Sequence, residues 1–239
     1  MQKKPSKTLY LAQLALFIAI ELVMKITGLS AIPVGPLNMT LTMVPIAIGA
    51  MLLGPLAGGV LGLVYGCTSL YDAISGRSAM TGVFFQVSPI HTIILCVGMR
   101  VLVGVLTGWI FRGVHKIDRT KTISYFVGGL AAPVLNTALF MGYIVLFFYQ
   151  TEFVQNMVQT LGASGPIMLI VLTVGVQGLV EAATGLVVGG AVAKGVAYAL
   201  KWDIKPQQPA AQAASKPVQT APEAEPDIKQ NSSPAATEE

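Results

Sequence analysis

Six long apolar runs predict an all-α integral membrane protein, a six-transmembrane-helix bundle with both termini cytoplasmic and a disordered C-terminal tail. Three observations carry that prediction. Of 239 residues, 54% are hydrophobic and only 11% are charged, against about 25% charged in an average soluble domain. The runs are continuously apolar over roughly 20 residues, the length needed to cross a bilayer as a helix. A barrel would instead show strict alternation over about 10 residues. The third observation is a break in composition at Asp203. Residues 203–239 hold six prolines, six acids and three lysines, too little apolar surface to fold. We therefore divide the chain into a transmembrane domain, 1–202, and a Pro/Ala/Gln/Glu-rich cytoplasmic tail, 203–239.

The six runs are 9–27, 38–53, 56–75, 89–111, 124–149 and 165–200. The first has no small-residue cleavage site after it, so it is expected to be a retained helix rather than a signal peptide. The second is short and carries Pro45, which predicts a kink or an incomplete crossing. Lys3, Lys4, Lys7, Arg112, Lys116, Arg119, Lys121, Lys194 and Lys201 fall on one side, while Lys25 and Arg77 fall on the other. That bias places both termini in the cytoplasm and the chain in the cell membrane as a multi-pass protein. Residues 1–202 carry a net +7, but these cations cap apolar runs and form no stripe. Nucleic acid is therefore excluded as a partner. The partner that the pattern implies is the lipid bilayer.

Three groups of residues are candidates for function. Small residues recur four apart at Gly58, Gly62 and Gly66, at Gly104 and Gly108, at Gly185 and Gly189, and at Ala15 and Ala19 with Ala12 nearby. Such rows allow close helix approach. Within the bundle they read as packing; on the first helix, packing and partner docking both stay open. The second group is polar: Arg100, Asn136, Gln177 and Glu181 all lie at depths of roughly 15–24 Å from the outer ends of their helices, at 1.5 Å per residue. Intramembrane charges face a cavity or a partner. Arg100 and Glu181 therefore either neutralise each other or form the floor of a polar pocket. Glu21 and Lys25, four apart, read as a snorkelling pair. The third group lines the outer face: Asn38, Thr40, Tyr71, Asp72, Arg77, Gln86, His91 and Tyr143.

Catalysis is not expected. The chain has no GxxxxGK[ST], HExxH or GxSxG motif, and no paired catalytic carboxylates. Its two cysteines, Cys67 and Cys96, lie in apolar runs without metal-ligand spacing. Neither a catalytic nor a metal site is predicted, and no cofactor within this chain.

The stretch from Ile32 reads I-P-V-G-P-L-N-M-T-L-T-M-V-P-I-A-I-G-A-M-L-L-G-P-L-A-G and continues G-V-L-G-L-V-Y-G-C-T-S-L. With M-R-V-L-V-G-V-L-T-G, A-P-V-L-N-T-A-L-F and G-V-Q-G-L-V-E-A further on, it resembles the substrate-binding S components of energy-coupling factor (ECF) vitamin transporters. The resemblance covers about residues 9–200 and leans toward the pantothenate subgroup. It departs from that subgroup at Met43-Val44, where a histidine is expected. It implies a six-helix fold binding a vitamin-sized molecule beneath the outer surface. Substrate contacts are expected among Asn38, Arg77, Gln86, His91, Arg100, Asn136, Tyr143, Gln177 and Glu181. It also implies a transmembrane coupling subunit docking on Ala12, Ala15 and Ala19. Two ATPase subunits on other chains would use ATP. Alternatives are an S component for another small vitamin or precursor, or a stand-alone facilitator; an integral membrane enzyme ranks last.

Overall fold

In the computed structural model the described residues are 7–28, 31–34 and 37–199, without the side chains of 31–34, 37–40, 176 and 177. The expected tail, 203–239, lies outside them. The elements are α1 (Lys7–Ile26), β1 (Ala31–Val34), β2 (Leu37–Thr40), α2 (Met43–Leu52), α3 (Pro55–Ile74), α4 (Ala79–Val87), α5 (Pro89–Ile93), a π turn (Ile94–Gly98), α6 (Met99–Ile117), α7 (Ile123–Phe147), α8 (Glu152–Leu161), α9 (Pro166–Thr184), a second π turn (Gly185–Gly189) and α10 (Gly190–Ala199). The architecture is helical apart from one hairpin, in which β1 pairs antiparallel with β2, Ala31 opposite Thr40.

Four helices are long and apolar enough to cross a membrane among the described residues: Lys7–Ile26, Pro89–Ile117, Ile123–Phe147 and Gly178–Ala199. A fifth crossing results if Glu152–Leu161 and Pro166–Gly175, bent by 73°, count as one broken span. The expected run at 38–53 divides into β2 and a ten-residue helix. At 1.5 Å per residue that helix is about half a bilayer long. Nine of its ten residues are buried, so α2 is a core rod enclosed by protein. Pro45 occupies its first turn, where the missing N–H is one of the unpaired donors of any helix start. No kink is needed there.

The glycine rows are the joints of the bundle. A methyl group on Gly58 or Gly104 would overlap the other's carbonyl, and one on Gly62 would strike the Arg100 carbonyl. Gly66 faces Val97, and Gly108 faces Pro55. Thus α3 and α6 run with their backbones in contact, as the four-residue spacing predicts. On the other side Gly185 abuts Gly129 and Pro133, so the second π turn packs on α7. Gly54 turns α2 into α3 at φ 102°, a left-handed conformation that disfavours any side chain; the Arg112 guanidinium also covers this turn.

The outside of the bundle is apolar: Leu56, Ile117 and Leu179 are each more than 70% exposed, which suits hydrocarbon rather than water. At the α6–α7 turn, the Asp118 carboxylate accepts hydrogen bonds from the backbone N–H of Ser124 and of Thr120 and from the Thr120 hydroxyl. These donors hold its carboxyl well below the usual carboxylate range.

Helix α1 lies at the edge, and Glu21 is its one buried residue. The expected Glu21–Lys25 pair is not formed. Lys25 instead binds Asp72 of α3, an interhelical partner at the same level. Glu21 turns inward to 2% exposure, and neither carboxylate oxygen has a hydrogen-bond partner. An unsatisfied buried polar group costs about 1–3 kcal/mol. Glu21→Leu is therefore expected to raise the melting temperature of the detergent-solubilised chain, and Glu21→Gln to leave it near wild type. A lower melting point for Glu21→Leu would show that the carboxyl is engaged in the folded state.

Candidate functional site

Beneath α4 and between α6, α7 and α9 lies a cavity of about 250 Å³ lined by Met80, Arg100, Asn136, Thr137, Phe140, Met141, Thr173, Val174 and Glu181. Three of the four intramembrane polar residues singled out by depth, Arg100, Asn136 and Glu181, share this wall. The fourth, Gln177, lies one turn before Glu181 on α9, and its side chain is outside the described residues.

The wall is built by helix faces. Asn136, Thr137, Phe140 and Met141 occupy successive turns of α7, and Thr173 and Val174 lie two turns before Glu181 on α9. Arg100 follows the first π turn by two residues, and Glu181 precedes the second by four. A π turn inserts one extra residue into a helix and shifts the face that follows, a device frequent at functional sites.

Arg100 is 7% exposed. Its guanidinium lies over the Tyr65 ring at 4.4 Å and the Phe140 ring at 4.8 Å, and Nη1 donates to the Cys96 carbonyl at 3.3 Å. Its Nε–H has no hydrogen-bond partner. Asn136 Oδ1 and Thr173 Oγ1 are likewise buried and unpartnered. One cationic donor, one amide acceptor and one hydroxyl thus line a single cavity with unused hydrogen-bonding capacity. Glu181, also 7% exposed, adds a carboxyl. Because most buried polar groups in proteins are satisfied, three such atoms on one wall make this cavity the candidate site.

Four other expected residues, Arg77, Gln86, His91 and Tyr143, lie elsewhere. Arg77 is exposed, its guanidinium 5.4 Å from the Tyr71 ring centre. Gln86 is exposed on α4. His91 joins an aromatic cluster, 4.9 Å from the Phe147 ring and 6.3 Å from that of Tyr143, with Nδ1 sharing a 2.9 Å hydrogen bond with the Ser88 hydroxyl. Tyr143 stacks on Phe147 at 4.4 Å. Neither His91 nor Tyr143 is among the cavity-lining residues. The side chain of Asn38 lies outside the described residues. Conversely, Met80, Thr137, Phe140, Met141, Thr173 and Val174 were not singled out by sequence. Helical spacing carried a signal for two of them: Phe140 is four after Asn136, and Thr173 is four before Gln177.

The expected docking residues, Ala12, Ala15 and Ala19, are all exposed and lie opposite Glu21 around α1, pointing away from the bundle. Among the described residues no group of three or more His, Cys, Asp or Glu side chains is placed to hold a metal ion.

A helical bundle with an apolar exterior and a polar cavity between its helices is the architecture of a membrane protein. Residues 9–189 match the family of ECF transporter substrate-specific components, and the chain belongs to that family. It is also 31% identical over 161 residues to the pantothenic acid transporter PanT of Lactococcus lactis subsp. cremoris (strain MG1363), an alignment covering 62% of this chain and 78% of that protein. Family and relative are transporters, not enzymes.

Proposed function

We propose that the chain is the membrane-embedded, high-affinity substrate-binding subunit of an ECF-type vitamin importer, that its substrate is pantothenate, and that coupling and ATPase subunits on other chains power uptake. The observation that carries this reading is the cavity with its unused donor and acceptors around one buried guanidinium. Pantothenate is a small anion bearing two hydroxyls and an amide. Its carboxylate suits Arg100, while its hydroxyl and amide donors suit Asn136, Thr173 and Glu181. A desolvated site of this kind rejects solutes that leave its polar groups unpaired. The kinship with a pantothenic acid transporter supports the same choice.

In this reading the chain crosses the membrane six times, through α1, the 38–53 segment of β2 and α2, α3, α5–α6, α7 and α9–α10, with both termini in the cytoplasm. The distribution of Lys and Arg supports that orientation. The coupling subunit docks on the Ala12, Ala15 and Ala19 face of α1. That face is apolar, small and turned outward, and α1 is held by little buried surface of its own.

Binding and uptake test the reading separately. The purified chain should bind pantothenate, whereas proteoliposomes should accumulate it only when coupling and ATPase subunits are co-reconstituted. Ala15→Leu with Ala19→Leu should leave affinity within about twofold of wild type and reduce uptake at least tenfold. Uptake by the chain alone would favour a facilitator, and binding of a different vitamin in place of pantothenate would reassign the substrate.

A further inference from the structure

The site has a second compartment. Adjoining the polar cavity is a slot of about 10 Å³, lined by Met80, Met141, Ile144, Val145, Val154, Met157, Leu169, Ile170 and Thr173. Met80, Met141 and Thr173 line both spaces, so slot and cavity share a wall. By the same measure a single water needs about 10–15 Å³. The slot therefore has room for one water-sized or methyl-sized group. A water there would need two or more polar partners, and among the described residues Thr173 is the one polar side chain lining it. A methyl suits it better.

On the shared wall the Thr173 hydroxyl is buried without a partner. Arg100 and Asn136 line the cavity and not the slot. Going from slot to cavity, the site therefore presents a methyl-sized apolar recess, then a hydroxyl, then an amide and a guanidinium. Three of the recess residues are methionines, whose unbranched side chains adapt to a small apolar intruder.

The geometry points to a substrate held in one fixed direction, with a methyl of a branched carbon in the slot between α4, α7, α8 and α9, a hydroxyl on the neighbouring carbon at Thr173, and an anionic end at Arg100. This rests on the substrate-binding reading above and extends it. Pantothenate meets the pattern, because its quaternary carbon carries two methyls, is flanked by two hydroxyl-bearing carbons, and lies at the end opposite its carboxylate. Met80, Met141 and Leu169 then decide specificity, admitting a methyl and refusing anything larger.

The test compares ligands on the wild-type chain and then moves the wall. Pantothenate, its analogue lacking both branch methyls, and its homologue with ethyl replacing one methyl are titrated against the purified protein. Losing one buried methyl is worth about fourfold, from ~0.8 kcal/mol per buried methyl or methylene. The unbranched analogue should therefore bind ~4- to 15-fold more weakly, and the ethyl homologue should bind more weakly still. Leu169→Ala, which alters the slot and leaves the cavity wall untouched, should shift the preference toward the ethyl homologue by at least fivefold. Met157→Ala on α8 serves the same purpose if Leu169→Ala fails to fold. Equal binding of the branched and unbranched ligands, with pantothenate itself bound tightly, overturns the slot assignment and leaves the substrate reading standing. So does an unchanged ligand preference in a folded variant. No binding of pantothenate by the wild-type chain overturns the substrate reading, and the slot assignment with it.

Discussion

Arg100→Ala is expected to weaken pantothenate binding ~30-fold or more while the chain still folds as a helical bundle. Truncating one partner of a buried, hydrogen-bonded charge pair costs about 2–5 kcal/mol, and Arg100 is the one cationic side chain lining the cavity. Its position is set by protein groups that need no ligand: the Tyr65 and Phe140 ring faces and the Cys96 carbonyl. A guanidinium flanked by two rings is already oriented before substrate arrives, so little of the binding energy is spent on ordering it. Lysine keeps the charge but loses the flat surface and the fork of donors. Arg100→Lys is thus expected to recover less than a tenth of the lost affinity.

The same substitution separates binding from architecture. If Arg100 served only to offset Glu181, its removal would leave a buried carboxyl and cost about 3–5 kcal/mol of stability. Binding would then fall only as folding fell. In the pocket reading, affinity drops first and the melting temperature moves little. The double variant Arg100→Ala/Glu181→Gln checks this: restored yield without restored binding assigns Arg100 to the substrate, and restoration of both assigns it to the bundle. Isothermal titration alongside a thermal melt in the same detergent distinguishes the two.

Much of the fold was legible because a bilayer imposes simple rules on sequence. Apolar length marked the long helices to within a few residues, and four-residue glycine spacing marked the α3–α6 contact. Depth along each span brought Arg100, Asn136 and Glu181 together, because an ionisable group at that depth needs a polar environment. Depth says nothing, however, about rotation or about which helices are neighbours. Lys25 was paired with Glu21 by proximity in sequence, yet its partner is Asp72, 47 residues away. His91 and Tyr143 were read as lining the outer face and as substrate contacts, but their rings pack into an aromatic cluster. The hairpin at 31–40 was not foreseen, and Pro33 does not prevent it because an edge strand tolerates proline. Helices α4 and α8 fall between the six apolar runs, and at nine and ten residues each is too short to stand out by apolar length. Thr173 and Met141 are ordinary residues in a membrane helix, and only their common wall gives them a role.

The largest effect on stability is expected at Gly104. A methyl there would lie inside contact distance of the Gly58 carbonyl and press on the Gly59 nitrogen. Both obstacles are backbone, so no rotamer change relieves the overlap and the two helices must separate. Overpacking in a fitted core typically costs about 1–3 kcal/mol, occasionally more, and the better helix propensity of alanine returns up to about 1 kcal/mol. Gly113→Ala is the control, on the same helix with nothing within 4 Å of the added methyl. It should be neutral or slightly stabilising, whereas Gly104→Ala should lower the melting temperature by several degrees. The loss should also reach the site. Arg100 lies one turn from Gly104, and its own carbonyl faces Gly62 across the same seam. Separating α3 from α6 therefore pulls the guanidinium off the Tyr65 ring. In the fraction that still folds, Gly104→Ala should weaken pantothenate binding by severalfold without touching a single cavity-lining side chain. Full affinity in a Gly104→Ala chain of lowered melting temperature would show instead that the seam carries stability alone.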